Sequence, residues 1–260
     1  MTIASAPPAR RPSPIAWQIA TATAIRDETP RVKSITLAAP AWMGHRAGQH
    51  VDLRLTAEDG YQTQRSYSVA SAPDGDQVEL TVVEVDDGEV SEYLTTTVAA
   101  GDQLEVRGPV GGWFVWRPGA PGPFRPVMLV AGGSGLVPLM AMIRVRAESA
   151  AKAPFRLVYS VRDTGSLLYR EELDRLSRKD GGLHVTFAFT RTAPPGSAWR
   201  TGRITARLLA EAGWPSADEP DVFVCGPTGF VESAANLLVD LGHDPQRIRT
   251  ERFGSPGGRP

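Results

Sequence analysis

Apolar positions in the first part of the chain recur at every second residue. In His50-Val51-Asp52-Leu53-Arg54-Leu55 the apolar Val51, Leu53 and Leu55 alternate with polar neighbours, the period of a half-buried strand. Val78 to Val85 is rich in β-branched residues, and Gln103-Leu104-Glu105-Val106 follows the turn-like Ala100-Gly101-Asp102. Turn signals at Gly48, Asp59-Gly60, Asp74-Gly75 and Asp87-Gly88 separate these runs. The pattern from Ile15 to about Arg117 predicts short antiparallel strands closing as a barrel or sandwich. One helix interrupts it near Ser91, running through Tyr93-Leu94, with Ser91 as its candidate cap. Pro118 to Pro126 is dense in proline and glycine, and the domain boundary is placed there.

Beyond the boundary the period changes. Val127-Met128-Leu129-Val130-Ala131 is uninterruptedly apolar, as a strand covered on both faces must be. A helix follows with Leu136, Leu139, Met140 and Ile143 on one face. Strands at Phe155–Ser160, His184–Phe189 and Asp221–Cys225 then alternate with helices at Tyr169–Leu176, Ile204–Ala212 and Phe230–Leu241. This strand–helix alternation predicts a doubly wound parallel sheet with helices on both faces. The expected organisation is a disordered leader over 1–14, a barrel over 15–117, a linker over 118–126, an α/β domain over 127–254 and a tail over 255–260.

Composition narrows the classes. The 260 residues include 28 basic and 29 acidic side chains, and the net charge of -1 excludes a general nucleic-acid or membrane-surface binder. No apolar run is long enough to span a bilayer. Met1 to Pro14 is rich in Ala and Pro with Arg10 and Arg11, and lacks the apolar core of a secretory signal. A cytoplasmic protein is expected. The single cysteine, Cys225, excludes an intrachain disulfide and a cysteine-ligated iron–sulfur cluster. His45, His50, His184 and His243 are scattered, so no metal site is expected.

Several short motifs carry chemistry, each with a plainer structural reading beside it. Arg65-Ser66-Tyr67-Ser68 ends a strand, so Arg65 and Tyr67 share one face and Ser66 and Ser68 the other. That grouping offers a charge, a ring and a hydroxyl to a planar anionic ligand; read alone it is also an ordinary barrel strand. Gly132-Gly133-Ser134-Gly135-Leu136-Val137-Pro138 joins the first strand of the second domain to its helix, where glycines admit a phosphate and the helix N-terminus favours negative charge. Pro138 suits a first helical turn. Cys225-Gly226-Pro227 ends a strand on the same side of the sheet, where open parallel sheets bind ligands. A lone cysteine there is equally a small apolar core residue. Ser160, Arg162 and Arg191 follow strand ends facing that crevice, either as phosphate ligands or as solvated loop residues. Glu251-Arg252-Phe253-Gly254 lies near the C-terminus, with Phe253 open to a packing role.

Taken in order, these motifs resemble the ferredoxin–NADP(+) reductase superfamily of flavin-dependent electron-transfer enzymes. The resemblance runs from about Ile15 to Gly254 through Arg65-Ser66-Tyr67-Ser68, Gly88-Glu89-Val90-Ser91, Gly108-Pro109-Val110-Gly111, Gly133-x-Gly135-x-x-Pro138 and Cys225-Gly226-Pro227. It implies a flavin-binding Greek-key antiparallel barrel followed by a doubly wound NAD(P)-binding α/β domain. It also implies roles. Arg65 would hold the flavin phosphates, with Ser66 in the same motif, Tyr67 would pack on the isoalloxazine, and Ser68 would bond near flavin N5. Ser91, with the backbone of Gly88 and Val90, would contact the FAD pyrophosphate. Gly133, Gly135 and Pro138 would shape the nucleotide site, with Gly226 and Pro227 opposite and Cys225 beside the nicotinamide. Glu251 and Phe253 match the near-terminal Glu-x-aromatic of plant-type members, a catalytic carboxylate and a ring over the flavin. The chain departs from that pattern in having Phe at 253 with seven residues after it, and in lacking a fused iron–sulfur domain.

The function implied is an FAD-dependent NAD(P)H oxidoreductase. Hydride passes from NADPH to FAD, and single electrons then go to a separate soluble acceptor, a ferredoxin or an oxygenase component. Ser68, Cys225 and Glu251 are the expected catalytic residues. NADP(H) is preferred over NAD(H) on the strength of Ser160, Arg162 and Arg191, and because no acidic residue ends the second strand of the α/β domain; Asp163 is the nearest. The competing readings are a flavin or ferric-siderophore reductase with a diffusible acceptor, an electron-transfer subunit docked on a larger oxidoreductase, and a scaffold that has lost its cofactor.

Overall fold

The computed structural model describes residues 15–119, 125–150, 152–196 and 201–254. The expected leader at 1–14, the tail at 255–260 and the middle of the linker lie outside the described residues.

The first half contains β1 (Trp17–Thr29), β2 (Val32–Ala38), β3 (His50–Thr56), β4 (Gln62–Ser68), β5 (Gln77–Val83), α1 (Glu89–Thr96) and β6 (Gln103–Val110). These strands form one antiparallel sheet in the order β4-β3-β6-β1-β2-β5. The two outer strands meet: Val69, just past β4, bridges Leu80 of β5, and the Ala70 amide donates to the Glu79 carbonyl at 2.7 Å. The sheet thereby closes into a barrel, which satisfies edges that would otherwise stay unpaired. The alternation in β3 appears as designed, with Val51 and Leu53 fully buried among Ala20, Ile35, Leu80 and Val106. Val90 and Leu94 of α1 join that core.

β1 is a single strand of 13 residues rather than one of the expected short ones. Irregularities in its pairing with β2 between Ala22 and Ala24, and between Asp27 and Thr29, bend it. Its first part, Trp17–Thr21, pairs with β6, and Thr21 onward pairs with β2.

The second half contains β7 (Val127–Gly132), α2 (Leu136–Glu148), β8 (Phe155–Val161), α3 (Arg170–Asp180), β9 (Leu183–Phe189), α4 (Ala206–Ala212), β10 (Asp221–Pro227), α5 (Thr228–Asp240) and β11 (Ile248–Phe253). The sheet is parallel throughout in the order β11-β10-β7-β8-β9. Every residue of β7 is buried, as its unbroken apolar run requires. The chain leaves β7 toward β9 and returns to β10 on the other side, so the strand order reverses between β7 and β10.

Helix α2 departs from the expected one-sided pattern: Leu136 through Ile143 are all buried. The cause is that α2 lies between its own sheet and the barrel. One continuous core holds Leu139, Met140 and Ile143 together with Val32, Ala47 and Ala70 of the barrel half. Phe114 and Trp116, from the segment after β6, also belong to it. Phe114 meets Phe223 edge-on at 5.4 Å, and Trp116 meets Phe155 at 4.9 Å.

Candidate functional site

The site grows from the reversal point between β7 and β10. Past β7 the chain makes one tight turn over Gly133–Gly135 and enters α2 directly. A Cβ at Gly135 would stand 2.1 Å from the carbonyl oxygen of Cys225, so no side chain fits. At Gly226 the backbone is left-handed (φ 155°), and a Cβ would press on the Phe230 ring at 2.9 Å and the Gly132 oxygen at 3.0 Å. The two glycine turns therefore interlock, each made possible by the missing side chain of the other. A Cβ at Gly133 would meet nothing within 4 Å, leaving its backbone open toward the neighbouring cleft. Pro138 is buried in the first turn of α2, where its missing amide hydrogen costs no helical bond.

That cleft, about 760 Å³, runs between the strand ends and the barrel. Gly133, Ser160, Arg162 and Pro227 line it, with the start of α5 behind Pro227. Open glycine backbone, a guanidinium and a helix N-terminus form a set that suits a phosphate-bearing ligand. Arg191 does not line the cleft. Its backbone amide donates to the Arg162 carbonyl at 2.9 Å, and Thr190 takes the place expected of it. Asp163 turns into its own loop, accepting from the Ser166 amide at 3.0 Å and hydroxyl at 2.9 Å. The opposite wall belongs to the barrel and was not read from sequence. Arg31, in the tight turn between β1 and β2, pairs there with Asp86 and with Glu84 at 3.2 Å. Charged residues in a strand-connecting turn carry no sequence signal that they face a partner domain.

The other end of the site joins the halves directly. The Ser68 hydroxyl, at the end of β4, donates to Glu251 Oε1 of β11 at 3.2 Å. In the β10–β11 register Glu251 lies beside Cys225. Three residues from three strands and both halves thus meet. Burial lifts the Glu251 carboxyl to about 7, and the Ser68 hydrogen bond partly opposes the lift. Burial, and then the Glu251 charge, push the Cys225 thiol well above its ordinary value, so it stays protonated at neutral pH. His50, opposite Ser68 in the β3–β4 register, was passed over as a scattered histidine. Burial lowers its pKa while Asp52 pulls the other way.

Within β4 burial does not follow the expected alternation: it deepens toward the strand's end, where Tyr67 and Ser68 are covered while Arg65 and Ser66 are exposed. Tyr67 is half-buried against the barrel core, and its phenol is pushed up to about 12 by burial, with the Arg65 charge opposing. Arg65 is exposed, and its Nη1 donates to the Gln64 carbonyl at 2.8 Å. The Ser66 hydroxyl, expected at a cofactor, is committed to Asp52 Oδ1 at 2.7 Å, and Asp52 is itself held by Arg107 at 2.6 Å.

Ser91 is not the cap of α1. The cap position is Gly88, and the buried Ser91 hydroxyl donates back to the Gly88 carbonyl at 2.9 Å while accepting from the Val85 amide at 3.1 Å. A serine three residues into a helix can fold its hydroxyl onto the turn before it, so the hydroxyl shapes the turn. The first amides of α1 receive no side-chain cap. Phe253 ends β11 half-buried and packs on the second core. Among the described residues no group of three or more His, Cys, Asp or Glu could hold a metal ion. No helix there is long and apolar enough to cross a membrane.

Comparison with known proteins follows the same division. The oxidoreductase FAD-binding domain family matches residues 18–115, and the oxidoreductase NAD-binding domain family matches residues 129–236. Ferredoxin–NADP reductase B of Sorangium cellulosum is 34% identical over 213 residues, covering 80% of this chain and 84% of its own. The glycine betaine monooxygenase reductase subunit of Chromohalobacter salexigens is 29% identical over 83% of this chain. A flavohemoprotein of Deinococcus radiodurans is 28% identical over 81%. The chain spans 58% and 52% of the length of those last two relatives. Among solved structures, the flavohem-like FAD/NAD-binding domain of nitric oxide dioxygenase from Vibrio cholerae superposes with a TM-score of 0.80 at 25% identity, over 92% of this chain and 99% of that one. A Neisseria gonorrhoeae ferredoxin NADP+ reductase with bound FAD and NADP shares the fold, with a TM-score of 0.75 at 21% identity over 91% of this chain and 98% of that one.

Proposed function

We propose that this chain, which belongs to the ferredoxin–NADP(+) reductase superfamily of flavin-dependent oxidoreductases, passes hydride from NADPH to FAD and then single electrons to a separate protein acceptor. The observation that carries this reading is the contact of Ser68 with Glu251, beside Cys225, where the two halves meet. An FAD-binding half and an NAD-binding half are thereby joined directly through polar side chains.

The residues fit the cofactors. Arg65 and the first amides of α1 at Glu89 and Val90, which receive no side-chain cap, supply positive charge for the FAD phosphates, and the half-buried Tyr67 ring supplies a packing surface. The Ser91 and Ser66 hydroxyls, engaged within the barrel, support that surface rather than touch the ligand. Bound FAD supplies the redox chemistry, taking two electrons with a hydride and releasing them singly. The protein supplies orientation. Ser68 and the Cys225 thiol would help orient the flavin and nicotinamide rings where the halves meet. Glu251, titrating near neutrality, holds or releases a proton at its carboxyl as the charge beside it changes.

NADP(H) is favoured over NAD(H). Ser160 and Arg162 line the cleft, and the nearest acid, Asp163, is turned into its own loop. The relatives named as a monooxygenase reductase subunit and a ferredoxin–NADP reductase support an oxygenase component or a ferredoxin as acceptor. An anaerobic absorbance scan of purified protein supplied with FAD, before and after NADPH and then NADH, tests the reading. A flavin spectrum bleached faster by NADPH is expected. Protein that takes up no flavin, or flavin that neither coenzyme reduces, refutes it, and faster bleaching by NADH overturns the coenzyme preference.

A further inference from the structure

Ser68 and Glu251 touch only if the two halves are held at one angle, and the structure shows what holds them. The loop after β8, residues 162–168, forms one wall of the coenzyme cleft. It ends at Tyr169, a buried residue in the left-handed conformation (φ 52°) that caps α3. A non-glycine side chain accepts that backbone only when its surroundings over-determine it. Here they do. Tyr169 Oη donates to Thr81 Oγ1 of the barrel strand β5. Thr81 continues to Ser34 Oγ at 2.8 Å, and the Ser34 hydroxyl donates to Glu28 at 2.7 Å. Arg26 holds Glu28 from outside at 2.6 Å. A directed chain of donors thus runs from the cleft loop through the barrel wall to a paired carboxylate.

A second tie lies beside it. Arg144 of α2 stands over the Tyr169 ring at 5.1 Å. Its guanidinium donates to Glu172 of α3 at 2.7 and 3.0 Å, to Glu79 of β5 at 2.6 Å, and to the Ala70 carbonyl at 2.9 Å. Ala70 lies two residues past Ser68. Four of the five guanidinium N–H donors are used, on α3, on β5 and on the segment just past β4, a geometry that lysine cannot reproduce.

We propose that Tyr169 and Arg144 are positioning residues for hydride transfer: they clamp the cleft loop and α2 onto β5, and so fix where the coenzyme lies relative to Ser68. The inference rests on the flavin–nicotinamide reading above. Neither residue lines the meeting point of Ser68, Glu251 and Cys225, so both act through the angle between the halves.

The test compares wild type with Tyr169→Phe, Thr81→Val and Arg144→Lys. Tyr169→Phe and Thr81→Val remove the same hydrogen bond from opposite sides, so one serves if the other fails to fold. In stopped-flow reduction of the FAD-loaded protein by saturating NADPH, each variant should lower the limiting rate about tenfold, as small misplacements of reacting groups do. FAD affinity and reoxidation by ferricyanide should stay within about twofold of wild type, because neither depends on the coenzyme's approach. Amide hydrogen exchange on the protein without coenzyme should quicken in residues 163–169 and in β5. A wild-type limiting rate, a loss confined to coenzyme affinity, or unchanged exchange in those segments overturns the clamp. Wild-type protein that binds FAD but is not reduced sinks the reading of the site, and the clamp with it.

Discussion

The two halves of the molecule solve opposite problems with similar sheets. The barrel sheet alternates buried and exposed residues, and its segment 15–117 carries fifteen carboxylates against eight Lys and Arg. The parallel sheet is buried on both faces at β7, and residues 127–254 carry sixteen Lys and Arg against fourteen carboxylates. On the proposed reading, an acidic barrel would host a pyrophosphate through locally placed cations such as Arg65. The α/β half would rely instead on backbone, with glycines letting amides approach. One half is therefore vulnerable at a few side chains and the other at a few backbone positions.

The largest expected effect breaks the backbone side of that contrast. Gly135→Ala places a Cβ 2.1 Å from the Cys225 oxygen, a backbone clash that no rotamer relieves. It should cost at least about 3 kcal/mol, the upper range for overpacking, and lower the thermal midpoint by about 5 °C or more. An unchanged midpoint would mean that the two glycine turns do not interlock.

Next comes Glu251, where the halves meet. Glutamate ordinarily titrates near 4.5, and Glu251 does so at about 7. Between those values the folded protein keeps a proton that the unfolded chain has released. This group's contribution to stability therefore falls as pH rises through the window, and levels off above about pH 7. The loss is at most about 3 kcal/mol. Glu251→Gln should flatten the fall of denaturation free energy between pH 5 and 7, and a slope identical to wild type would contradict the burial argument.

The smallest effect sharpens the barrel side. Arg65→Ala removes an exposed guanidinium that packs into no core, so thermal stability of the apoprotein should stay within about 0.5 kcal/mol of wild type. FAD affinity should nonetheless weaken about tenfold, as loss of a charged hydrogen bond to phosphate implies. Fluorescence titration with FAD measures it, and unchanged affinity would remove Arg65 from the flavin site.

Much of the fold was legible because periodicity is a local property. Val51, Leu53 and Leu55 announce a half-buried strand, and Val127 to Ala131 a fully buried one, wherever the rest of the chain goes. The glycine turns were legible for a related reason, since Gly135 and Gly226 answer to close approaches that a side chain would block and Gly133 to a left-handed backbone (φ 54°). Local pattern did not decide where a hydroxyl had two possible partners. Ser91 and Ser66 read as ligand contacts, but they lie within reach of the Gly88 carbonyl and of Asp52 respectively. Arg191 misled by a single position, its neighbour Thr190 taking the cleft wall.

By itself the sequence determined the two sheet types and the strand-end turns, because each rests on spacing or on the chemistry of a residue type; the candidate set Ser68, Cys225 and Glu251 is what the resemblance of the ordered motifs implied. Only the tertiary structure decided that these three meet, that α2 is buried on nearly all sides, and that Arg144 and Tyr169 tie the halves together. Those facts depend on contacts between residues as far apart as 183 positions, Ser68 and Glu251. No local preference encodes such a pairing; it exists only once burial and hydrogen bonding have set the angle between the two sheets.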